Sequence, residues 1–96
     1  MPTYQARPRF LRDFKSLTRE QATAWEEALD LFIACLRRGS FDPKLRVKRV
    51  QGYPGVWEMS WAPDGRATFE YGSELRIGEQ HIIWRRIGTH GIFRQP

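Results

Sequence analysis

Two periods alternate along this chain, and the places where one gives way to the other mark its elements. From Arg9 the apolar positions Phe10, Leu11, Phe14 and Leu17 recur at helical spacing and predict a two-turn helix. Thr18 then reads as an N-cap, with Gln21 three residues on as its capping-box partner. From Arg19 to Arg38, Ala22, Trp25, Leu29, Phe32, Ile33 and Leu36 form one stripe. The other side carries Glu26, Glu27 and Asp30 early and Arg37 and Arg38 late, the order a helix dipole favours, and Gly39 is a natural C-terminal cap.

After Asp42-Pro43 the period shortens. Leu45, Val47 and Val50 alternate with Arg46 and Lys48, which predicts a strand with one basic face. Tyr53-Pro54-Gly55-Val56 fits a type II turn, with proline second and glycine third. Over residues 56–62, Trp57, Met59 and Trp61 share a phase opposite Glu58 and Ser60. Asp64-Gly65 marks a tight hairpin, after which Arg66, Thr68 and Glu70 alternate with Ala67, Phe69 and Tyr71. Gly72 to Gln80 reads as a loop, and His81 to Ile87, apolar on both faces in its middle, as a central strand. A short edge strand over residues 3–7, ended by Pro8, precedes the helices. Strand, two helices, four strands: the order is α+β, with helices over one sheet face.

The chain's 96 residues suit one domain, residues 1–96, and six Phe, three Tyr and four Trp can fill a modest core. Cys35 is alone and falls inside the helical stripe, so it is expected to be a buried small hydrophobe. No apolar run reaches signal-peptide or membrane-spanning length, and a soluble cytoplasmic protein without a membrane partner is expected. Lys and Arg number 16 against 11 Asp and Glu, a formal charge of +5. That balance favours a polyanionic partner, either nucleic acid or an acidic protein.

With Trp57, Met59, Ala67 and Phe69 under the helices, the opposite face would display Arg46, Lys48, Glu58, Ser60, Arg66, Thr68 and Glu70. Trp84 and Arg86 share a phase on the last strand, and His90 lies just past its end. Each residue alone reads as a solvated polar position. Together, the long cations Arg46, Lys48, Arg66 and Arg86 come from three strands and could converge on one phosphate. RNA is cut when its own 2′-hydroxyl attacks the neighbouring phosphate, which calls for a base, an acid and cations. An imidazole can fill either proton-transfer role, so His90 is the leading candidate, with Glu58 and Asp64 as second partners. Arg66 and Arg86 would stabilise the phosphorane charge. Lys44, Arg46, Lys48 and Arg49 are assigned to phosphate contacts, and Phe93 to base stacking. One cysteine and two distant histidines give no zinc spacing, and no phosphate-binding glycine loop is present, so no metal and no cofactor is expected.

These pieces together resemble the RelE/ParE superfamily of bacterial toxins from type II toxin–antitoxin modules. The likeness runs from Phe10 to Phe93 and rests on Phe14-Lys15-x-Leu17, Val50-Gln51-Gly52 and Gly55-Val56-Trp57-Glu58. It continues through Arg66-Ala67-Thr68-Phe69, in the place of an Arg-x-x-Tyr, and Arg86-Ile87-Gly88-Thr89-His90 followed by Phe93. The resemblance implies a RelE-like fold whose N-terminal strand joins a twisted, mainly antiparallel sheet. It also implies a cognate antitoxin as partner, with operator DNA reached through it. RelE-like members, including the YafQ type, cut mRNA in the ribosomal A site, whereas ParE-like members poison DNA gyrase. The ending Gly88-Thr89-His90-Gly91-Ile92-Phe93 is similar to that of the YafQ type, and Asp64 falls where that type has an acidic residue. Ser60 stands where such enzymes carry another histidine, Gly65 where they carry tryptophan, and the C-terminal tyrosine of the RelE type is missing. The expected function is therefore a ribosome-dependent mRNA endonuclease (an mRNA interferase, metal-independent) with a one-histidine site that another residue or the ribosome completes. The competing readings are a gyrase-inhibiting toxin and a non-catalytic, antitoxin-binding regulatory relative.

Overall fold

Helix α2, Arg19–Arg38, supplies Trp25, Phe32 and Cys35 to the core. In the computed structural model, which describes residues 2–96, its start is fixed by a reciprocal capping box. The Gln21 N–H donates to Thr18 Oγ1 at 3.1 Å and the Thr18 N–H to Gln21 Oε1 at 2.8 Å. It stops at Gly39, whose left-handed φ of 84° lets its N–H reach the Cys35 carbonyl. Helix α1, Pro8–Lys15, starts one residue before the predicted Arg9, because proline needs no N–H partner in a first turn. Among the described residues no helix is long and apolar enough to cross a membrane.

Five strands form one sheet in the order β1-β5-β4-β3-β2: β1 Thr3–Ala6, β2 Lys48–Arg49, β3 Trp57–Ser60, β4 Arg66–Arg76 and β5 Glu79–Gly88. Only the β1–β5 pairing is parallel. The helices cover one face, the inner one. There Phe10, Trp25 and Phe32 meet Phe69 and Trp84, with Trp25 edge-on to Trp84 at 5.0 Å and Phe32 edge-on to Phe69 at 5.1 Å. Trp57 packs half-buried against this cluster, and Cys35 is buried in it as expected.

Three expectations about the strands are corrected. The predicted loop from Gly72 to Gln80 is a hairpin instead: β4 runs on to Arg76, β5 begins at Glu79, and Ile77-Gly78 turn between them with Gly78 at φ 81°. The predicted basic strand around Leu45–Val50 is mostly irregular. Pro43–Leu45 form a 3-10 turn capped by Asp42, Arg46 sits in the left-handed region at φ 48°, and only Lys48 and Arg49 pair. Finally, Trp84 and Arg86 do not share a face. Phe69 pairs with Trp84 but Thr68 with Arg86, so a bulge at Arg85 shifts the phase and both Trp84 and Ile87 enter the inner core.

Candidate functional site

The loop joining β3 to β4 carries one half of the site. Its turn is closed by the Gly65 N–H donating to the Ala62 carbonyl at 3.0 Å and the Trp61 N–H to the Gly65 carbonyl at 3.1 Å. Gly65 is required by closeness: a Cβ there would fall 2.6 Å from two ring carbons of the buried Trp61. Arg66, only 7% exposed, folds back over this turn. Its Nη1 donates to the carbonyls of Ala62, Pro63 and Gly65 at 3.2, 3.2 and 2.9 Å. The guanidinium is thus locked by the loop, while Nε and Nη2 have no hydrogen-bond partner among the described residues.

The other half follows β5. Thr89 ends the strand and His90–Arg94 form a 3-10 turn anchored by the buried Ile92. His90 Nδ1 lies 2.6 Å from Asp64 Oδ1, and the Phe93 ring stands edge-on to the imidazole at 5.8 Å. A carboxylate oxygen accepts, so the Nδ1–H donates to it and Nε2 is left without a partner among the described residues. Both partners are solvent-exposed, at 58% and 69% of their side chains. The bond ties the β3–β4 loop to the segment after β5, two pieces of chain 26 positions apart.

Arg86 is committed elsewhere. Its Nε and Nη2 donate to the two oxygens of Asp13 on α1 at 2.6 and 3.2 Å, and its Nη1 to the Gln95 carbonyl at 3.1 Å. Asp13 also accepts from the Ile87 N–H at 3.2 Å, on the stretch of β5 that β1 does not reach. Nothing in the spacing of Asp13 announced this role. Beside the pair is a cleft of about 300 Å³ lined by Ser16, Gln21, Thr89 and Gly91.

Of the remaining candidates, Lys48 faces Glu58 across the β2–β3 pair at 4.0 Å, and no bond links Glu58 to His90, Asp64 or Arg66. Arg49 lies over the Trp57 ring at 5.2 Å from its centre. Lys44 and Arg46 line a second cleft together with Arg66, Ser60, Trp61 and Pro63. The four cations expected to meet at one phosphate are therefore divided. Arg66 and Arg46 share a cleft that Lys44 also lines, Lys48 is paired with Glu58, and Arg86 with Asp13.

A polar network also crosses the outer face, where the sequence showed only alternation. Glu70 accepts from Arg7 at 2.6 Å and from Arg85 at 2.8 Å. Burial alone would raise its carboxyl pKa, but the two guanidinium hydrogen bonds and charges outweigh it and hold the value below the ordinary 4.5. Thr68 Oγ1 and Arg85 Nε both donate to the Pro96 carbonyl, at 3.1 and 3.0 Å, which seats the last residues on this face. His81, buried, is held by Thr3 at 2.7 Å and Gln5 at 3.0 Å and is a β1–β5 fastener. Among the described residues no three His, Cys, Asp or Glu side chains gather as a metal site.

No protein-family model matches this chain, and no curated protein matches it by sequence. Its fold does match solved structures over nearly its whole length. A YoeB/ParE toxin from Agrobacterium tumefaciens superposes with a TM-score of 0.68 at 17% identity, covering 92% of this chain and 98% of that one. A chain of the E. coli DinJ–YafQ complex gives 0.65 at 15% identity, with 95% and 96% covered. A chain of the RelB–RelE antitoxin–toxin complex from Methanococcus jannaschii gives 0.62 at 17%, with 93% of each covered. The two helices and five-stranded sheet are the fold of RelE-like toxins.

Proposed function

We propose that this protein is the toxin of a type II toxin–antitoxin pair and that it cuts mRNA on the ribosome without a metal ion. The observation carrying this reading is the Asp64–His90 bond on a RelE-like fold, with the loop that holds Asp64 also presenting Arg66. Asp64 orients the imidazole and compensates the charge it gains when Nε2 removes the proton from a 2′-hydroxyl. The freed oxygen bonds to phosphorus, and the bond from phosphorus to the 5′-oxygen breaks. The unpaired Nε and Nη2 of Arg66 are available to the phosphorane oxygens. The proton for the departing 5′-oxygen comes from water or the ribosome, since no second imidazole shares the site. Products are a 2′,3′-cyclic phosphate and a 5′-hydroxyl.

The partner reading rests on charge and on likeness. The chain carries +5, and the matched DinJ–YafQ and RelB–RelE structures are toxin–antitoxin complexes. An acidic antitoxin segment, disordered when free, would cover the basic clefts.

The test is end chemistry in a purified translation system. Cyclic-phosphate and 5′-hydroxyl termini, lost with His90→Ala, are expected. Fragments bearing 5′-phosphates would overturn the mechanism, and intact mRNA alongside inhibited DNA supercoiling would overturn the assignment in favour of a gyrase poison.

A further inference from the structure

The cleft beside Arg66 has a composition that the cutting reaction alone does not explain. It holds about 420 Å³ between α2, the turn at Pro43–Leu45 and the β3–β4 loop. That volume lies within the range of small-molecule sites and is ample for one nucleotide. Part of its lining is apolar: Ala24 and Ala28, one helical turn apart on α2, are small where larger side chains would take up space, and Trp61, Ala62 and Pro63 line it from the loop. The lining also includes three cations, Lys44, Arg46 and Arg66, and one acid, Glu27. The Arg46 backbone sits at φ 48°, a conformation that a non-glycine residue adopts at a cost, as chain at binding sites often does. Glu27 has no hydrogen bond or ion pair among the described residues, although cations line the same cleft.

We infer that this cleft takes one nucleotide of the RNA strand, its phosphate on Arg66, Arg46 and Lys44 and its base in the slot between Ala28 and the Trp61–Pro63 loop. A base is flat and apolar on its faces and polar on its edge, which fits a slot with apolar walls and a polar rim. Glu27 gives the slot a preference. A carboxylate only accepts hydrogen bonds, so it favours bases with an exocyclic amino group, as adenine, cytosine and guanine have, and disfavours uracil, which presents carbonyl oxygens there. The inference rests on the nuclease reading for its biological setting, but the pocket's chemistry can be measured without any cutting.

The experiment titrates the 15N-labelled full chain with AMP, CMP and UMP, following the Trp61 indole N–H and the backbone amides of residues 24–31 by NMR. AMP and CMP are expected to shift these signals and to bind about tenfold tighter than UMP, the ratio a single well-placed hydrogen-bonding contact supplies. Glu27→Ala should erase that ratio while the protein still binds inorganic phosphate. Ala28→Leu should close the slot, abolishing base-dependent shifts but leaving the phosphate-dependent ones at Arg66. Circular dichroism of both variants establishes that the fold is kept. Equal binding of AMP and UMP to the native chain, shifts that map to the outer face around Thr68 and Arg85, or indifference to Ala28→Leu would each overturn the inference. A chain that binds AMP in the cleft yet cuts no RNA would overturn the nuclease reading instead and leave this one standing.

Discussion

The two faces of the sheet are built by different means. The inner face is dry and aromatic: Phe10, Trp25, Phe32, Phe69 and Trp84 stack and edge against one another, and Met59, Ala67 and Phe69 are fully buried. The outer face is a set of directional bonds, with Glu70 between Arg7 and Arg85, and Thr68 and Arg85 on the Pro96 carbonyl. Apolar packing rewards any arrangement that excludes water, so it sets the fold and not the position of a particular atom. Hydrogen-bonded pairs do the reverse. The candidate site belongs to this second kind: His90 and Asp64 sit on the rim, exposed, joined by one bond. Chemistry placed there can be removed without loss of the core.

The sharpest way to break that contrast is on the inner face. Trp25 is 4% exposed, and Trp25→Ala should cost about 3–5 kcal/mol of stability, read from urea unfolding. A cost near 1 kcal/mol would mean that the aromatic cluster is not the principal support. Next comes Asp13→Ala, which strands the Arg86 guanidinium and the Ile87 N–H, both mostly shielded from water. A loss of about 2–4 kcal/mol is expected. The same variant should raise hydrogen exchange in residues 89–96, because Arg86 also holds the Gln95 carbonyl; unchanged exchange would detach the pair from that segment.

Smaller still is the acid limb. The Glu70 carboxyl is held below 4.5 in the folded chain, so its contribution is complete above that value. It fades as pH falls through the lowered folded value. Glu70→Gln should therefore flatten the loss of stability on the acid side, and an identical pH profile would show the two arginines to be idle. Smallest in stability and largest in activity is His90→Ala. It should alter stability by less than about 0.5 kcal/mol and lower RNA cleavage by about 10²–10⁴-fold. Paired measurements of unfolding and turnover on one preparation check both halves.

Much of the inner architecture was legible because it follows period and punctuation. The Thr18–Gln21 cap, Gly39, and Pro54-Gly55 with Gly55 at φ 80° all occupy positions where backbone geometry demands those residues. The far end of β4 and the start of β5 were missed because Gly72, Ser73, Glu74 and Gly78 look like turn residues. Gly72 instead makes room for His81 and Ile83, whose side-chain atoms would lie 2.8 Å from a Cβ there. A bulge such as the one at Arg85 erases the period by which it would be detected, so Trp84, read in phase with Arg86, was assigned to the wrong face. At the site, Asp64, His90 and Arg66 could be named as candidates from residue type and order. The division of the cations could not be foreseen, because Asp13 and Arg86 meet across 73 positions and no local rule couples them.

The parallel seam between β1 and β5 bears on how this chain reaches its fold. Thr3 and His81 are 78 positions apart, and their contact closes nearly the whole polypeptide into one loop. The antiparallel β4–β5 hairpin and α2 need only neighbours, so they can form before that closure is rewarded. On this argument the first strand is expected to dock after the rate-limiting barrier, onto an edge already built. Weakening its fasteners, as Thr3→Ala or Gln5→Ala would, should quicken unfolding in stopped-flow traces and leave the refolding limb almost unmoved.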